Sequence, residues 1–481
     1  MQAGLSILPL ALVLVLLATR RVTLASAGLV ALAATLPAVI WLRGADGLAG
    51  FLWGESLKGA WVSWQGLSVI FAGVVLHQVL HRRPAREAKT GPDTDIHRGA
   101  FAAAFLFGVF VETAVGFGVG TIVAVIGLMR LGLSGPAAAA LSVFSQILVP
   151  WGAMAVGTGI GAGLLGVEVA ALGTRTAEVT AMTLPFLMPF FWALLRTAGV
   201  RLRPVNIAID ILLILAMGGL LIAVNRYLAV ELGGLLAPGL LAVAVMAPRL
   251  LRSRAYTVTL IGDVWPYLFL AGSLLATRLV PGLPGLLHGV LDLRPFEGMP
   301  SFPVLYHASF WLLVTAAIAA PASVWRGGLG RLLGDSLRMA RTPLLVTLFF
   351  VVQAQWMLES GAAGAIGAAW QSVAGNFSVL AAPLFSAAIA APSGSNTAAI
   401  AMMMPVMAPI AVQTGVSMLT VVAVQNIAGG LSTMLSPGRI ALAAGLAGLQ
   451  GQETVVYRRM LPVTAAILGA PILVLAFLAF L

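Results

Sequence analysis

The sequence lacks cysteine and contains little charge. No cysteine occurs among its 481 residues, which excludes a disulfide framework, a thiolate metal site and a cysteine nucleophile. Charged residues make up only 9% of the chain, whereas soluble domains carry roughly 25%. With 60% hydrophobic residues, the chain has too little polar surface to cover a soluble core. We therefore predict an all-α polytopic membrane protein.

The sequence also lacks the motifs of catalysis. It has no nucleotide-binding loop, no His/Glu metal spacing and no nucleophile elbow. The glycines of 116–120 resemble a phosphate loop only weakly, and their apolar surroundings argue against one. The net charge of +11 fits short cytoplasmic loops better than nucleic acid. We expect no enzyme, cofactor, metal or nucleic-acid partner; a membrane-embedded enzyme or assembly subunit would need a buried catalytic cluster.

The longest stretch without charge runs from Glu359 to Arg439. Its middle reads Ala-Ala-Pro-Ser-Gly-Ser-Asn-Thr-Ala-Ala at 390–399, which disfavours a continuous helix. In lipid, non-helical backbone survives only where it lines a protein cavity, because every polar backbone group must be satisfied. This pattern predicts a re-entrant helical hairpin over about 376–411 that enters from outside, with 392–397 as its tip.

A second break lies near Glu112. Segment 99–130 starts after Arg98 and ends at Arg130, so both of its ends are predicted to be cytoplasmic. It is too long for a single span, and its centre, 112–120, is rich in glycine. A second re-entrant hairpin, entering from the inside, explains these features.

Fourteen apolar segments are predicted, with the first retained as a span and not cleaved as a signal peptide. They are 4–19, 24–42, 62–80, 99–130, 134–158, 177–195, 206–224, 231–248, 257–280, 304–324, 342–358, 376–411, 414–435 and 461–481.

The basic loops are expected on the cytoplasmic side, which predicts that the N-terminus lies outside, provided that neither hairpin crosses the membrane. Loop 81–98 also holds Glu87, Asp93 and Asp95, whereas loops 43–60, 159–176 and 281–303 are nearly neutral. The basic residues counted are Arg20, Arg21, Arg82, Arg83, Arg86, Lys89, Arg98, Arg196, Arg201, Arg203, Arg249, Arg252, Arg254, Arg326, Arg331, Arg338, Arg341, Arg439, Arg458 and Arg459.

Each predicted hairpin is followed by a helix that contains its own interruption, at Ser145–Met154 and at Gln425–Met434. The spacing from hairpin tip to interruption is nearly the same in both cases. We therefore predict two inverted repeats, 1–200 and 257–481, joined by linking helices within 201–256. Inverted repeats with broken helices that meet at the midplane are typical of secondary transporters.

The N-terminal amides of half-helices carry partial positive charge and suit a carboxylate or another small anion. Neither tip contains lysine or arginine, so we expect anion binding to rest on helix dipoles and hydroxyl groups. The predicted substrate-binding residues are Thr113, Gly116, Phe117, Gly118, Gln146, Trp151, Ser393, Gly394, Ser395, Asn396, Thr397, Gln425 and Asn426.

Glu112 is the only acidic residue in either predicted hairpin. A carboxylate inside the bilayer is costly and is by default a functional hypothesis. Because burial favours the protonated form, Glu112 is predicted to carry a proton; the alternative is that it pairs with an arginine or caps a half-helix. Asp210 and Asp263 are expected near the membrane interface, and Arg278 is expected to be a snorkelling anchor.

At these motifs the chain resembles the L-lactate permease family of bacterial monocarboxylate transporters. Its E-G-A-A-G-F-G type motif corresponds to 112–118, and its T-G-S-D-T motif corresponds to 393–397. Segments like N-S-S-G-G and I-S-P-Q-S-I-A-V-A correspond to 426–430 and 435–443. Trp265-Pro-Tyr267 and Glu359-Ser-Gly361 also resemble positions of that family.

The resemblance implies proton-coupled symport of L-lactate, glycolate or a related 2-hydroxy acid. The expected partners are a small organic anion, protons, the lipid bilayer and a second copy of the chain in a homodimer. Two departures stand out, since Thr113-Ala-Val115 replaces Gly-Ala-Ala and Asn396 replaces the aspartate. If that aspartate takes part in coupling, Glu112 acts alone here or the coupling differs. The alternative is a sodium-coupled carrier of another small organic anion.

Overall fold

The computed structural model describes residues 2–19, 22–83 and 95–480. Within these ranges the fold is helical, apart from two short antiparallel strands, β1 (Asp292–Leu293) and β2 (Phe302–Pro303). Six of the charged residues used to predict orientation lie outside the described residues: Arg20, Arg21, Arg86, Glu87, Lys89 and Asp93.

The first part of the chain, including the linking region, forms twelve α-helices. They are α1 (Gln2–Thr19), α2 (Leu24–Arg43), α3 (Leu48–His81), α4 (Ile96–Phe101), α5 (Gly108–Val115), α6 (Val119–Arg130), α7 (Gly135–Ser142), α8 (Gly152–Leu165), α9 (Val169–Thr183), α10 (Met188–Thr197), α11 (Pro204–Tyr227) and α12 (Val230–Arg252). A π-helical turn, Ala102–Phe107, joins α4 to α5; 3-10 turns lie at Val143–Gln146, Val149–Trp151 and Leu184–Leu187.

The second part forms ten more helices. They are α13 (Arg254–Leu279), α14 (Leu283–Val290), α15 (Ala308–Ala319), α16 (Leu329–Glu359), α17 (Ala362–Ala374), α18 (Ala382–Ser393), α19 (Asn396–Gln413), α20 (Met418–Ser432), α21 (Pro437–Leu446) and α22 (Glu453–Phe480). A π-helical turn lies at Val324–Gly328, and 3-10 turns lie at Gly375–Ala381 and Thr433–Leu435.

Twelve helices of the described residues are long and apolar enough to cross a membrane, which confirms the predicted class of all-α polytopic membrane protein. The spans differ in detail from those predicted. Helix α3 begins at Leu48, well before the predicted start at 62. Its early turns include Glu55, whose carboxylate accepts bonds from Lys58 (2.8 Å) and from Gln355 on α16 (2.9 Å). Because these hydrogen bonds pair the Glu55 carboxylate, the helix extends through residues that were predicted to form a loop, 43–60.

Helix α17 was not predicted. It precedes the second hairpin and packs on α19, where a Cβ built on Gly367 would lie 3.1 Å from Ile410 Cγ1. Alanine and glycine make up most of α17, and at 13 residues it is shorter than the roughly 20 apolar residues from which a span is predicted.

The first predicted hairpin is an antiparallel pair of helices. A Cβ on Gly120 of α6 would lie 2.2 Å from the Gly108 carbonyl oxygen of α5, and a Cβ on Gly127 would lie 3.3 Å from Ala103. The chain reverses at Gly116 and Gly118, where φ is positive, a conformation that glycine adopts without steric cost. The break therefore lies within the predicted segment; that it enters and leaves on one side of a membrane stays a prediction.

The second hairpin consists of α18 and α19, which pack against each other around a break at Gly394. Ser395 then caps α19, since its side chain accepts a hydrogen bond from the Ala398 amide. The break lies within the predicted tip, 392–397.

The first interrupted helix is present as predicted. Its two parts, Gly135–Gln146 and Val149–Leu165, are bent by 57°. The second interruption lies later than predicted, because α20 stays helical through Ser432 and breaks at Thr433–Leu435. Gly429 is needed there for close packing and not for a break, since a Cβ on it would lie 2.3 Å from Asn396 Oδ1.

Small residues let helices of the first half of the chain pack closely against helices of the second half. A Cβ on Gly59 of α3 would lie 2.8 Å from the Val352 Cα of α16. On α8, Gly157 and Gly161 lie against Ile400 and Met404 of α19, in a small-xxx-small pattern. Such patterns let membrane helices approach at the backbone and gain van der Waals contact.

Two charged residues are more deeply buried than expected. Asp210 of α11, expected at an interface, is fully buried; its carboxylate lies 2.7 Å from His97 Nε2 of α4 and accepts a bond from Trp192 Nε1 (2.9 Å). Arg278 of α13, expected to snorkel, is also buried and pairs with Glu231 of α12. The Asp210 cluster ties the first hairpin to the linking helices. The burial of Asp210 and of Arg278 thus results from polar contacts between helices that are distant in sequence.

We predict that Asp210→Ala destabilises the protein. The substitution leaves the buried His97 and Trp192 nitrogens without their acceptor, and breaking a buried pair costs about 3–5 kcal/mol. The apparent thermal unfolding temperature of the purified protein should therefore fall clearly. Asp263→Ala is the matched control, because Asp263 is exposed. An Asp210→Ala protein as stable as the Asp263→Ala control would contradict this role.

Candidate functional site

A cavity of about 230 Å³ lies between the tips of the two hairpins. Pockets for drug-sized ligands are roughly 300–1,000 Å³, so this one suits a smaller molecule. Its lining includes eight of the fourteen residues predicted for binding and coupling: Glu112, Gly116, Phe117, Ser393, Gly394, Ser395, Asn396 and Thr397. The structure thus brings together two tips that lie almost 280 residues apart in the sequence.

The tip of the second hairpin is held by its own hydroxyl groups. Ser393 Oγ donates to the Ile389 carbonyl (2.5 Å) and accepts from the Ser395 amide (3.1 Å). Ser395 Oγ accepts from the Ala398 amide (3.2 Å). The first amides of a helix have no acceptor within that helix, so those of Asn396 and Thr397, both cavity residues, are available to an anion.

At the first tip, Glu112 is folded back onto the start of α6. Its Oε1 accepts from the Gly118 amide (3.1 Å) and its Oε2 from the Gly120 amide (3.0 Å). The side chain is only 1% exposed. Glu112 therefore already occupies the positive N-terminus of α6. Of the N-termini of α6 and α19, only that of α19 is left for an anion in the cavity.

Arg439 of α21 enters the same cavity. Its Nη2 lies 3.5 Å from Glu112 Oε1, and the side chain is 12% exposed. Its Nη1 is buried and has no hydrogen-bond partner among the described residues. This corrects the expectation that the site lacks a basic group, because Arg439 had been counted as a loop residue. Both alternative roles of Glu112, capping a half-helix and pairing with an arginine, are present.

Sequence reasoning missed Arg439 because it lies at the start of a helix that follows an interruption, not in a hairpin tip. The available signal was the segment 435–443, where the resembled motif carries serine at the position of Arg439. An arginine at that position, beside the second interruption, was the sequence signal for a basic residue in the cavity.

Two predicted binding residues contact the linking helices and do not line the cavity. Thr113 Oγ1 donates to the Gly234 carbonyl of α12 (2.7 Å). Trp151 Nε1 donates to Asn225 Oδ1 of α11 (3.0 Å). In this arrangement they fix the first tip and the first interrupted helix to the linking region.

The remaining four predicted residues also lie outside the lining. The Gly118 amide is bonded to Glu112, and Gln146 Nε2 donates to Thr121 Oγ1 (2.9 Å). Asn426 Oδ1 accepts from Asn396 Nδ2 (2.9 Å), while its Nδ2 donates to Thr158 Oγ1 (2.9 Å) of α8. Gln425 is fully buried beside it on α20. Asn426 thus links the second tip to α8, the interrupted helix that follows the first hairpin.

A left-handed segment beside the cavity was not predicted. Ala153, Met154 and Ala155 have φ values of 48°, 59° and 63°, and Ala153 lines the cavity. For residues with a side chain this conformation costs about 1–2 kcal/mol each. Strained backbone of this kind clusters at functional sites. Two threonines and one proline of α16 also line the cavity and were not predicted: Thr342, Thr347 and Pro343.

We predict that Gly394→Val blocks the site while leaving the protein folded. Gly394 has φ +66°, and a Cβ there would lie 3.1 Å from Ser436 Oγ, so a branched side chain strains the tip and displaces it. Uptake of small organic anions into vesicles should be lost. Gly364→Val on α17 is the control, because its Cβ would have nothing within 4 Å. Normal uptake by Gly394→Val would show that this tip is not the site.

Comparison with known proteins extends this description. The family model for L-lactate permease matches residues 271–481. A search of curated proteins found no match. The matched region contains the second tip, Asn426 and Arg439, whereas the first hairpin lies outside it. The resemblance stated from the sequence motifs is thus confirmed over the second part of the chain, where residues 271–481 match the L-lactate permease family.

Proposed function

We propose that this protein is a secondary active transporter that carries L-lactate, glycolate or a related small monocarboxylate across the bacterial cytoplasmic membrane together with a proton. The match to the L-lactate permease family supports lactate as the substrate. The observation that carries the proposal is the cavity of about 230 Å³ into which both tips and Arg439 project.

The substrate carboxylate is proposed to bind between Arg439 and the start of α19. Arg439 Nη1 is a buried donor without an acceptor among the described residues, and the Asn396 and Thr397 amides lie at the positive end of a helix. Charge-assisted hydrogen bonds from a guanidinium are among the strongest available to a carboxylate. Ser395 and Thr397 add hydroxyl groups that suit the 2-hydroxyl of lactate or glycolate.

Charge balance supports proton coupling. Glu112 and Arg439 together are neutral, so a bound monocarboxylate adds one uncompensated negative charge to a site of low dielectric. When the substrate carboxylate takes over Arg439, Glu112 loses its charged partner and keeps only the Gly118 and Gly120 amides, so a proton is proposed to replace that partner. One proton per carboxylate keeps the loaded cavity neutral, and this supports Glu112 as the coupling residue.

Alternating access is proposed to arise from the two repeats, 1–200 and 257–481, with 201–256 as the linker. The order of elements supports this arrangement: a long helix, a hairpin, an interrupted helix and a final helix follow one another in each repeat. The cross-contacts also correspond, since α8 packs on α19 of the second hairpin and α21 packs on α6 of the first. Motion of one repeat against the other would expose the cavity to each side in turn.

The proposed orientation keeps the N-terminus outside, and a homodimer is the proposed assembly. Arg439 no longer supports this orientation, because it lies in the cavity. Arg458, which is exposed, and Arg459 remain in the same predicted cytoplasmic region.

Sodium coupling with another small organic anion is the second candidate, and buried oxygens favour it. Asn396 Oδ1 and Ser386 Oγ have no partner among the described residues, and both lie against Gly429, at 2.3 and 2.5 Å from a Cβ built there. Gln425 Oε1, one helical turn earlier on α20, also has none. Neutral oxygens at broken helices can coordinate sodium in transporters. Uptake that depends on sodium and not on the proton gradient would favour this candidate.

We predict that substitution of Arg439 and substitution of Glu112 impair different properties of transport. Arg439→Gln should reduce uptake of labelled L-lactate into proteoliposomes at least a hundredfold, because the carboxylate loses its charged partner. Glu112→Gln should abolish the stimulation by an inward proton gradient but retain exchange of lactate across the membrane. Both are measured against a matched no-gradient reaction.

Arg458→Gln is the control, since Arg458 is an exposed arginine outside the cavity. The double variant Glu112→Gln/Arg439→Gln guards against misfolding caused by an unpaired buried charge. Gradient-driven uptake by Glu112→Gln at the wild-type rate would remove Glu112 as the proton carrier. Wild-type uptake by Arg439→Gln would contradict the proposed binding mode.

A further inference from the structure

A second cavity, of about 390 Å³, lies next to the first. It is formed by α3, α8, α12, α13, α14 and the segment before α15. Its lining includes residues of the loop 281–303, which we predict to lie on the outer side of the membrane. Its polar lining includes Gln65, Glu231, Arg278, His288, Tyr306 and His307. Like the first cavity, it contains one glutamate and one arginine that form a pair.

The two cavities share a wall. Val156 lines both of them, Ala153 lines the first, and Met154 and Ala155 line the second. This wall is the left-handed segment at the start of α8, where three successive residues that are not glycine have positive φ. A molecule in the second cavity is therefore separated from the first by a single strained turn of backbone.

Arg278 is the buried cation of the second cavity. Its side chain is 3% exposed, and its Nη2 donates to Glu231 Oε1. Its Nη1 donates to the Tyr306 carbonyl (3.0 Å), and the guanidinium lies 4.0 Å from the centre of the Tyr306 ring. Its Nε has no partner among the described residues. The guanidinium is thus fixed by α12 and by the segment before α15, and it retains one free donor.

Two histidines, His307 and His288, also line this cavity. Burial lowers the pKa of the His307 imidazole to about 4, with Glu231 raising and Arg278 lowering it. His307 is therefore neutral near pH 7, where its Nδ1 and Ser309 Oγ lie 2.8 Å apart. The His288 ring lies tilted against the Tyr306 ring, with 4.3 Å between their centres. Arg278 Nη1 is bonded to neutral oxygens, the Tyr306 carbonyl and Thr277 Oγ1, whereas Nη2 is bonded to the Glu231 carboxylate that an incoming carboxylate would displace.

We propose that this cavity is a second, transient binding site for the transported carboxylate, in which the substrate replaces Glu231 on Arg278. The proposal rests on the proposed function, because it assumes a carboxylate substrate. The Glu231 side chain is 23% exposed, so its carboxylate keeps access to solvent when it releases Arg278. The substrate then reaches Arg439 and the α19 terminus by passing the wall at 153–156.

The test is side-specific transport kinetics with three variants. Arg278→Gln should raise the KM for lactate presented from outside at least tenfold, with little change in the maximal rate and in the KM from inside. Arg278→Lys should recover part of the external affinity. Glu231→Gln removes the carboxylate that holds Arg278, so its external KM should fall below the wild-type value.

The double variant Glu231→Gln/Arg278→Gln separates binding from a purely structural pair. If the pair only holds helices together, removing both charges restores the wild-type external KM, and that result would overturn the proposal. It would also be overturned by an unchanged external KM in a folded Arg278→Gln protein. The proposal expects the double variant to keep the raised KM.

Failure of this proposal is distinguishable from failure of the proposed function. If the wild-type protein neither binds nor transports any small carboxylate, the proposed function fails and the second site falls with it. If wild-type uptake is present and is lost in Arg439→Gln but the external KM is unchanged in Arg278→Gln, only the second site is wrong.

Discussion

The arrangement of the site depends on one buried carboxylate, that of Glu112. It accepts two backbone amides at the start of α6 and lies 3.5 Å from Arg439 of α21. A single side chain thereby closes the first hairpin and joins it to the interrupted helix of the second half. Because a buried carboxylate is stable only when it is paired and hydrogen-bonded, any ligand that takes Arg439 away also changes the state of the first hairpin.

The remainder of the cavity is shaped by close backbone packing. Gly120 lies against Gly108 within the first hairpin, Gly429 lies against Asn396, and Gly157 lies beside Thr397. At each of these contacts a larger side chain would push an element away from the cavity. In a membrane, where helices gain little from the hydrophobic effect, such contacts and the hydrogen bonds between polar side chains hold helices together. The polar connection Asn396–Asn426–Thr158 is of this second kind.

Much of the fold was predictable because it depends on local signals. Missing charge identified the membrane class, and glycine-rich segments identified the breaks near Gly116 and Gly394, where the structure has positive φ. The break at Gly394 lies within the predicted segment 392–397, since Ser393–Thr397 combine groups that break a helix with groups that cap one. The order of these motifs indicated the family whose model matches residues 271–481.

The parts that were not predictable depend on long-range packing. Arg439 resembles an ordinary loop cation until α21 is placed beside the first hairpin. Gly429 resembled a helix break, although its role is to admit Asn396. The left-handed turn at 153–155 uses alanine and methionine, which carry no sequence signal for that conformation. Trp151 was expected in the cavity because it lies in a broken helix, yet its indole is bonded to Asn225 of a linking helix.

The central claim is that a small carboxylate binds between Arg439 and the start of α19. The most direct measurement is an experimental structure determined with saturating L-lactate and compared with one determined without it. The account predicts density for the carboxylate within hydrogen-bond distance of Arg439 and of the Asn396 and Thr397 amides, with Arg439 moved away from Glu112. Lactate bound elsewhere in the protein, with the Glu112–Arg439 pair undisturbed, would contradict it.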